Sequence, residues 1–415
     1  MGARQGMNRR TFLWTGSAAL AATGLPKVLE AQTPPGTVPA AASPAAAPKA
    51  PARPNPMALH TNVAVAQRQP KGPLSMPGPF PGVVAEAHLP GCLKDLRPVP
   101  GSADRMLEAA LKRLTGAQDV RDAWRRFVTP GERIGIKFNP VGHEISGTTR
   151  ELIQAVVAGL ERAGIPRKDL VVWHRFDDEH ARTYKAEEVH PGVEAYLLNW
   201  FIQKDGKNTP GGWERWDEGV FYEADFALPD DQNYLEEMFH GGTKSYFPKL
   251  LTRSGRDGGV DKVINLPVLK HHGMTLLTGA LKNLAYGVTT NCPRGHAFIH
   301  RFIPEVCAFP PVRDKVVLNL MDGFRVQYDK GPVPAPAFVV PHERLYAATD
   351  PVALDTVGFE VLLRLQVEKG SLKPELVEAM RRRHYGLAVA ENLGLGVHAG
   401  RVIDHRKIQL AGGVA

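Results

Sequence analysis

From Lys262 to Pro304 the chain carries no Asp or Glu, yet it holds Lys262, Lys270, Lys282, Arg294, Arg301 and four histidines: His271, His272, His296 and His300. The whole chain has 43 acids in 415 residues, so about four would fall in a window of this length by composition alone. Cations and imidazoles without carboxylates suit the recognition of negative charge, proton transfer by a group that titrates near neutrality, or metal ligation. The stretch alternates this chemistry with the apolar runs Leu266–Leu269 and Leu276–Leu281. It is therefore no solvated basic tail; its charge is folded into a core.

Within the stretch, Lys270, His272 and His296 are the candidates for catalysis. His271 and His272 are adjacent, and on a strand they point to opposite faces, so one of them meets a given ligand unless the chain turns at Gly273. Lys282 and Asn283 lie in a segment, Thr278 to Tyr286, that reads as a short helix ending at Gly287. The start of such a helix would offer backbone N–H groups to an anion. His296 and His300 are four residues apart and share a face if helical, a spacing that suits a metal pair and equally an ordinary amphipathic helix. Metal binding, a phosphate- or carboxylate-type anion site and structural hydrogen bonding all stay open at this level.

These residues need elements to hold them. Arg133–Phe138 is a short apolar run that presents Lys137 and then Asn139 at its end. Thr148 with Glu151 reads as a capping box, and Leu152, Ile153, Val156, Val157 and Leu160 give the following helix one apolar face. Gly164 stops it and Leu170–Trp173 resumes as a strand, which makes a βαβ unit and a parallel pair. Further strands are expected over residues 262–269, 315–322 and 344–349. Asp350-Pro351 is an N-cap with proline at the first helical position, opening a helix to about Leu365, and another helix is expected from Pro374 to His384. The alternation predicts an α/β fold: an open, mostly parallel, Rossmann-like sheet with helices on both faces. Ligands of such sheets bind outside the carboxyl ends of the strands, where Lys137, Asn139, His174, Arg175, Lys270, Asp322 and Asp350 fall. Each also has a bland role: Asp350 as a cap, Asp322 as a turn former, His174 as a surface residue.

The rest of the chain reads as follows. Residues 1–32 form an expected twin-arginine signal peptide, Asn8-Arg9-Arg10-Thr11-Phe12-Leu13 followed by an apolar run to Leu25 and then Lys27. Cleavage after Ala31 meets Leu29 at a position that favours a small residue, so an uncleaved anchor is an alternative. The twin-arginine export machinery is then a partner and the periplasm or the exterior the destination. Residues 33–56 form an Ala/Pro-rich linker expected to be disordered. Residues 57–415 read as one α/β domain interrupted over about 177–259 by a segment rich in aromatics, with an acidic run from Glu214 to Glu237. That insertion is expected either to wall the basic stretch or to stand as a peripheral subdomain. No later run is long and apolar enough for a membrane span. The net charge is +8, but aromatics do not interleave with the basic residues, which argues against nucleic acid. Cys92, Cys292 and Cys307 lack any Cys-x-x-Cys spacing, which argues against an iron-sulfur cluster here.

Leu266-Pro-Val-Leu-Lys-His-His-Gly-Met-Thr, Thr278-Gly-Ala-Leu-Lys-Asn-Leu, Arg294-Gly-His and Thr349-Asp-Pro-Val-Ala-Leu-Asp355 resemble domain-of-unknown-function family 362. Gly135-Ile-Lys-Phe-Asn-Pro and Thr148-Thr-Arg-Glu-Leu are similar to its amino-terminal half, particularly in twin-arginine-exported members. The resemblance runs from about Pro81 to Ile408. It implies no settled activity. It implies a redox association, through iron-sulfur modules in some members, from which this chain departs by having no cysteine cluster. The residues it brings forward are Lys137, Asn139, Lys270, His272, Lys282, Asn283, Arg294, His296, Asp350 and Asp355. Two functions follow. In one, the protein is an exported enzyme: Lys137, Asn139, Lys282, Asn283, Arg294, Asp350 and Asp355 hold an anionic small-molecule substrate or cofactor, and Lys270, His272 or His296 does the chemistry. In the other, it is a non-catalytic binding or accessory protein for an anion, a metal or a redox cofactor. The cofactor is not identified; a metal on His296 and His300 is one candidate.

Overall fold

In the computed structural model of this chain the described residues are 55–176, 184, 186–204, 207–228, 242–398 and 403–412. The expected signal peptide, and the linker as far as residue 54, lie outside them.

Near-continuous Val, Ile and Leu runs make strands buried on both faces. The main sheet contains eleven: β1 (Val83–His88), β2 (Ile134–Phe138), β3 (Leu170–Phe176), β4 (Glu194–Lys204), β5 (Lys207–Gly211), β6 (Lys262–Leu266), β7 (Val268–His272), β8 (Leu276–Leu277), β9 (Val316–Gln327), β10 (Val339–Ala348) and β11 (Asp404–Gln409). Their order is β11-β1-β10-β9-β6-β2-β3-β4-β5, with β7 beside β9 and β8 beside β7. The central run from β9 through β6, β2 and β3 to β4 is parallel. β10 runs antiparallel to both of its neighbours, β1 and β9. The molecule is thus α/β with a mixed, mostly parallel central sheet.

Five helices matter for the site: α1 (Ser102–Thr115), α2 (Arg150–Arg162), α3 (Gly279–Ala285), α4 (Ile299–Cys307) and α5 (Pro351–Glu368). The apolar stripes of α1 (Met106, Leu107, Ala110, Leu111, Leu114) and of α2 pack on Ile134, Ile136, Val172 and Leu318, on one face of the sheet. On the other face α3 and α4 pack against Val171, Trp173 and Val263, and α5 against Val84, Met321 and Ala348. Burying each such Val, Leu or Ile contributes about 1.5–3 kcal/mol, and strict alternation along the strands sends successive residues to the two faces.

Three local expectations change. The run 262–269 is two strands, because Pro267 cannot donate to a ladder and separates β6 from β7. The expected capping box does not form: the N-cap of α2 is Thr149, whose N–H goes to Asp322 Oδ2 at 2.7 Å. The Thr148 hydroxyl instead joins two strand ends, donating to the Leu266 carbonyl at 3.0 Å and accepting from the Asn139 N–H at 2.9 Å. The helix expected over 374–384 begins as a single 3-10 turn, and its α part is Val377–Arg383.

The described part of the insertion packs onto the helices that carry the basic stretch. β4 and β5 extend the sheet, and Trp216–Glu223 pairs with Lys244–Pro248 in a two-stranded sheet. Trp216, Tyr222 and Phe247 share one core with Leu281, Leu284 and Phe302 of α3 and α4. Among the described residues the contact is an apolar and aromatic core, joined by Arg294, which bonds to carbonyls and a hydroxyl of the insertion.

Candidate functional site

The chain runs outward from β2 through β3 to β4, then returns to lay β6 on the opposite side of β2 and β9 beyond it. The helix after β2 covers one face and the helix after β6 the other. Between β2 and β6 lies a topological switch point, where the two following loops part and leave a crevice at the carboxyl ends. Lys137 and Asn265 are register partners across it.

A buried polar chain crosses the sheet there. Lys137 Nζ donates to Asn283 Oδ1 at 3.1 Å and to the Phe138 carbonyl at 2.6 Å, with His174 Nδ1 at 3.4 Å. Asn283 Nδ2 donates to Asn265 Oδ1 at 2.7 Å, and Asn265 Nδ2 to Asn319 Oδ1 at 2.8 Å. Asn319 Nδ2 reaches the Ala348 and Thr349 carbonyls at 3.4 Å each. Four strands and one helix are tied through polar groups that satisfy one another, the condition for a polar group to be buried cheaply. Asn265 and Asn319 were missed by sequence reasoning. Their signal was an amide near the middle of each of two consecutive predicted strands, the fourth residue of one and the fifth of the next; a bulge brings the two opposite each other.

Beside this chain sits the cluster with open chemistry. Lys282 is half-buried, its ammonium 4.3 Å from the Tyr286 ring centroid. The Tyr286 and His296 rings are 4.7 Å apart, and Arg175 donates to the Tyr286 carbonyl at 3.4 Å. His296 Nδ1 lies 3.0 Å from the Cys292 carbonyl, which only accepts, so Nδ1 carries the proton and Nε2 the lone pair. His272 is the reverse. Its Nδ1 accepts the Met274 and Thr275 N–H groups at 3.2 and 3.3 Å, which puts its proton on Nε2. Burial and then Lys282 push His272 well below the ordinary histidine range. The same two causes in the same order bring His296 to about 3. Both imidazoles are neutral near pH 7, one with an N–H and the other with a lone pair to offer.

The other candidates are bound up elsewhere. Lys270, fully buried, donates to the Val141 carbonyl. The Asn139 side chain accepts from the Val141 N–H at 3.0 Å and so closes the turn after β2. Arg294 grips the insertion, donating to the Ala224 and Phe226 carbonyls at 3.3 and 3.2 Å and to Ser245 Oγ at 2.9 Å. Asp350 accepts four N–H groups, from Val352 and Ala353 of α5 and from Gly82 and Val397. Burial lifts it to about 6.

Asp355 corrects the expected anion site at the start of α3. Its two oxygens accept the Ala280 and Leu281 N–H groups at 2.6 and 3.0 Å, so the chain's own carboxylate already occupies that helix start. Burial raises this carboxyl to about 7. His300 turns to His384 and Tyr385, with ring centroids 5.5 and 4.8 Å away, rather than to the Tyr286 side of His296. Among the described residues no group of three His, Cys, Asp or Glu is disposed to hold a metal ion. The expected convergence of Lys137, Lys270, Lys282 and His296 on one ligand is therefore divided. Lys137 and Lys270 bond to groups of the chain itself, whereas Lys282 and His296 are partly accessible.

Among solved structures, a crystal structure of a Thermotoga maritima protein from the Northeast Structural Genomics Consortium is similar at 11% identity, with a TM-score of 0.36, over 60% of this chain and 57% of that one. No curated protein matches. Residues 258–360, which supply β6 through most of α5 and every candidate except Lys137, Asn139, His174 and Arg175, match the family described as Domain of unknown function (DUF362).

Proposed function

We propose that the protein is an enzyme that binds a small anion between Lys282 and Arg175 and moves a proton through His296, with His272 Nε2–H as a neutral hydrogen-bond donor to the same ligand. The observation that carries this reading is the pair of opposite tautomers beside Lys282, each fixed by a backbone partner. A base brought to about 3 is weak. An anion between Lys282 and Arg175 offsets the two charges that, after burial, lower His296, so the bound ligand itself strengthens its base. The site arms on binding. Titration calorimetry with inorganic phosphate and with succinate tests the reading: one of them should bind, Lys282→Gln should weaken it at least tenfold, and the His296 pKa followed by NMR should rise in the complex. Absence of binding, or full affinity in Lys282→Gln, refutes it.

The same proposal includes export by the twin-arginine route, supported by the Arg9-Arg10 pattern and the apolar run after it. Replacing both arginines with lysine should retain the precursor in the cytoplasm on cell fractionation. An unchanged periplasmic fraction would remove export from the proposal.

A further inference from the structure

His271, one residue before His272, points away from Lys282 into a separate cavity of about 170 Å³. Its apolar floor is Phe359 and Leu363 of α5 with Leu372 and Met380 from the segment that follows. Its polar lining includes His271, Asp329 and Arg383. Asp329 Oδ1 accepts the Lys330 N–H at 2.7 Å and lies 3.8 Å from His271 Nδ1. That same Nδ1 accepts the Gly331 N–H at 3.2 Å, so the imidazole is neutral and leaves the carboxylate charge in place. Arg383 is solvent-exposed and lines the cavity; burial first, then Lys330 and Arg383, lower the proton affinity of His271 against the pull of Asp329. Asp329 and Arg383 thus line one cavity with opposite charges, yet make no ion pair with each other among the described residues.

Two unlike charges held apart over an apolar floor are complementary to a ligand that carries both. We propose that this cavity binds a small zwitterion with a hydrocarbon tail, of the size and charge of a branched aliphatic α-amino acid. Its carboxylate meets the Arg383 guanidinium, the donor geometry that suits carboxylates best. Its ammonium meets Asp329, and its tail covers Phe359, Leu363, Leu372 and Met380. A simple carboxylate would face Asp329 and a simple amine would face Arg383, and like charges at close range select against both. Size agrees: an engineered apolar cavity of about 150 Å³ takes up benzene, so a cavity of about 170 Å³ suits a ligand only slightly larger. The site shares none of its charged groups with the Lys282 cluster.

Calorimetry on the full chain tests this with L-leucine, leucinamide and 4-methylpentanoate. L-Leucine should bind with a dissociation constant on the order of 1 mM, and each half-ligand at least tenfold more weakly. Arg383→Gln and Asp329→Asn should each weaken L-leucine at least tenfold while leaving the thermal melt followed by circular dichroism unchanged. Lys282→Gln should bind L-leucine like the wild type, which keeps this result separate from the fate of the anion site. The proposal is overturned if L-leucine gives no heat, if either half-ligand binds as well, if Arg383→Gln keeps full affinity, or if Lys282→Gln loses it.

Discussion

Lys282 and Asn283 are neighbours on α3 with opposite fates. Lys282 is half-buried, its ammonium over the Tyr286 ring. Asn283 is buried, accepting from Lys137 and donating to Asn265. Asn283→Leu would remove both partners at once and leave an ammonium and an amide oxygen short of a bond inside the protein. Each such loss costs about 1–3 kcal/mol, more for a charged group, so a destabilisation of about 3 kcal/mol or more is expected in urea unfolding. A loss below about 1 kcal/mol would mean that the polar chain does not act as a unit. Asn283 is thus a positioning residue for the crevice, while Lys282 is the ligand contact proposed above.

At the scale of elements, the junction of α3 with α5 carries most of the local design. Gly279 opens α3 at a φ of +58°, and a β-carbon there would stand 2.4 Å from Asp355 Oδ1. Both facts require glycine: the left-handed conformation disfavours any L side chain, and the carboxylate has no room to withdraw without releasing two N–H groups. Gly279→Ala should therefore destabilise by more than about 2 kcal/mol, and unfolding midpoints of wild type and variant compare directly. A change within about 0.5 kcal/mol would show that α3 can shift. Through this junction α5 helps to seat Lys282, while Asp355 itself is buried. Asp350, the N-cap five residues earlier, ties the same end of the helix to Gly82 and Val397, so both acids of the Thr349–Asp355 segment serve to seat the start of α5.

For the whole molecule, buried imidazoles set the response to acid. His296, His342 and His384 are brought to about 3, and His300 to about 4, burial being the first cause in each. Between those values and 6.5 the unfolded chain binds protons that the folded chain refuses, so stability falls as pH drops through that window. Asp350 and Asp355, raised by burial to about 6 and about 7, act in the opposite sense: they favour the folded state as pH falls from their raised values toward 3.8. Four histidines outweigh two aspartates. The net expectation is a protein less stable at pH 5 than at pH 7.5, measured by chemical unfolding at the two values, with Asp355→Asn enlarging the difference. Equal stability at both would mean that water reaches these imidazoles in the folded state.

Much of this was legible in the chain itself. Continuous apolar runs, Gly164 after an amphipathic stripe and Asp350-Pro351 are local signals, and they gave the α/β class, the βαβ unit and the cap of α5, because strand burial and helix termination depend on near neighbours. The absence of acids from Lys262 to Pro304 likewise marked the segment that supplies the cluster of His272, Lys282 and His296. What the sequence could not decide was what each cation bonds to. Lys137, Lys270 and Arg294 look like Lys282 in one dimension; only the fold shows that Lys137 is held by the Asn283 amide, Lys270 by the Val141 carbonyl and Arg294 by the Ala224 and Phe226 carbonyls, all from distant segments. Nor could it show that Asp355, 75 residues away, fills the start of α3, or that β6 returns across β2 to open the crevice. Hydrogen-bond satisfaction inside a protein is a property of the folded neighbourhood, and only the tertiary structure decided it.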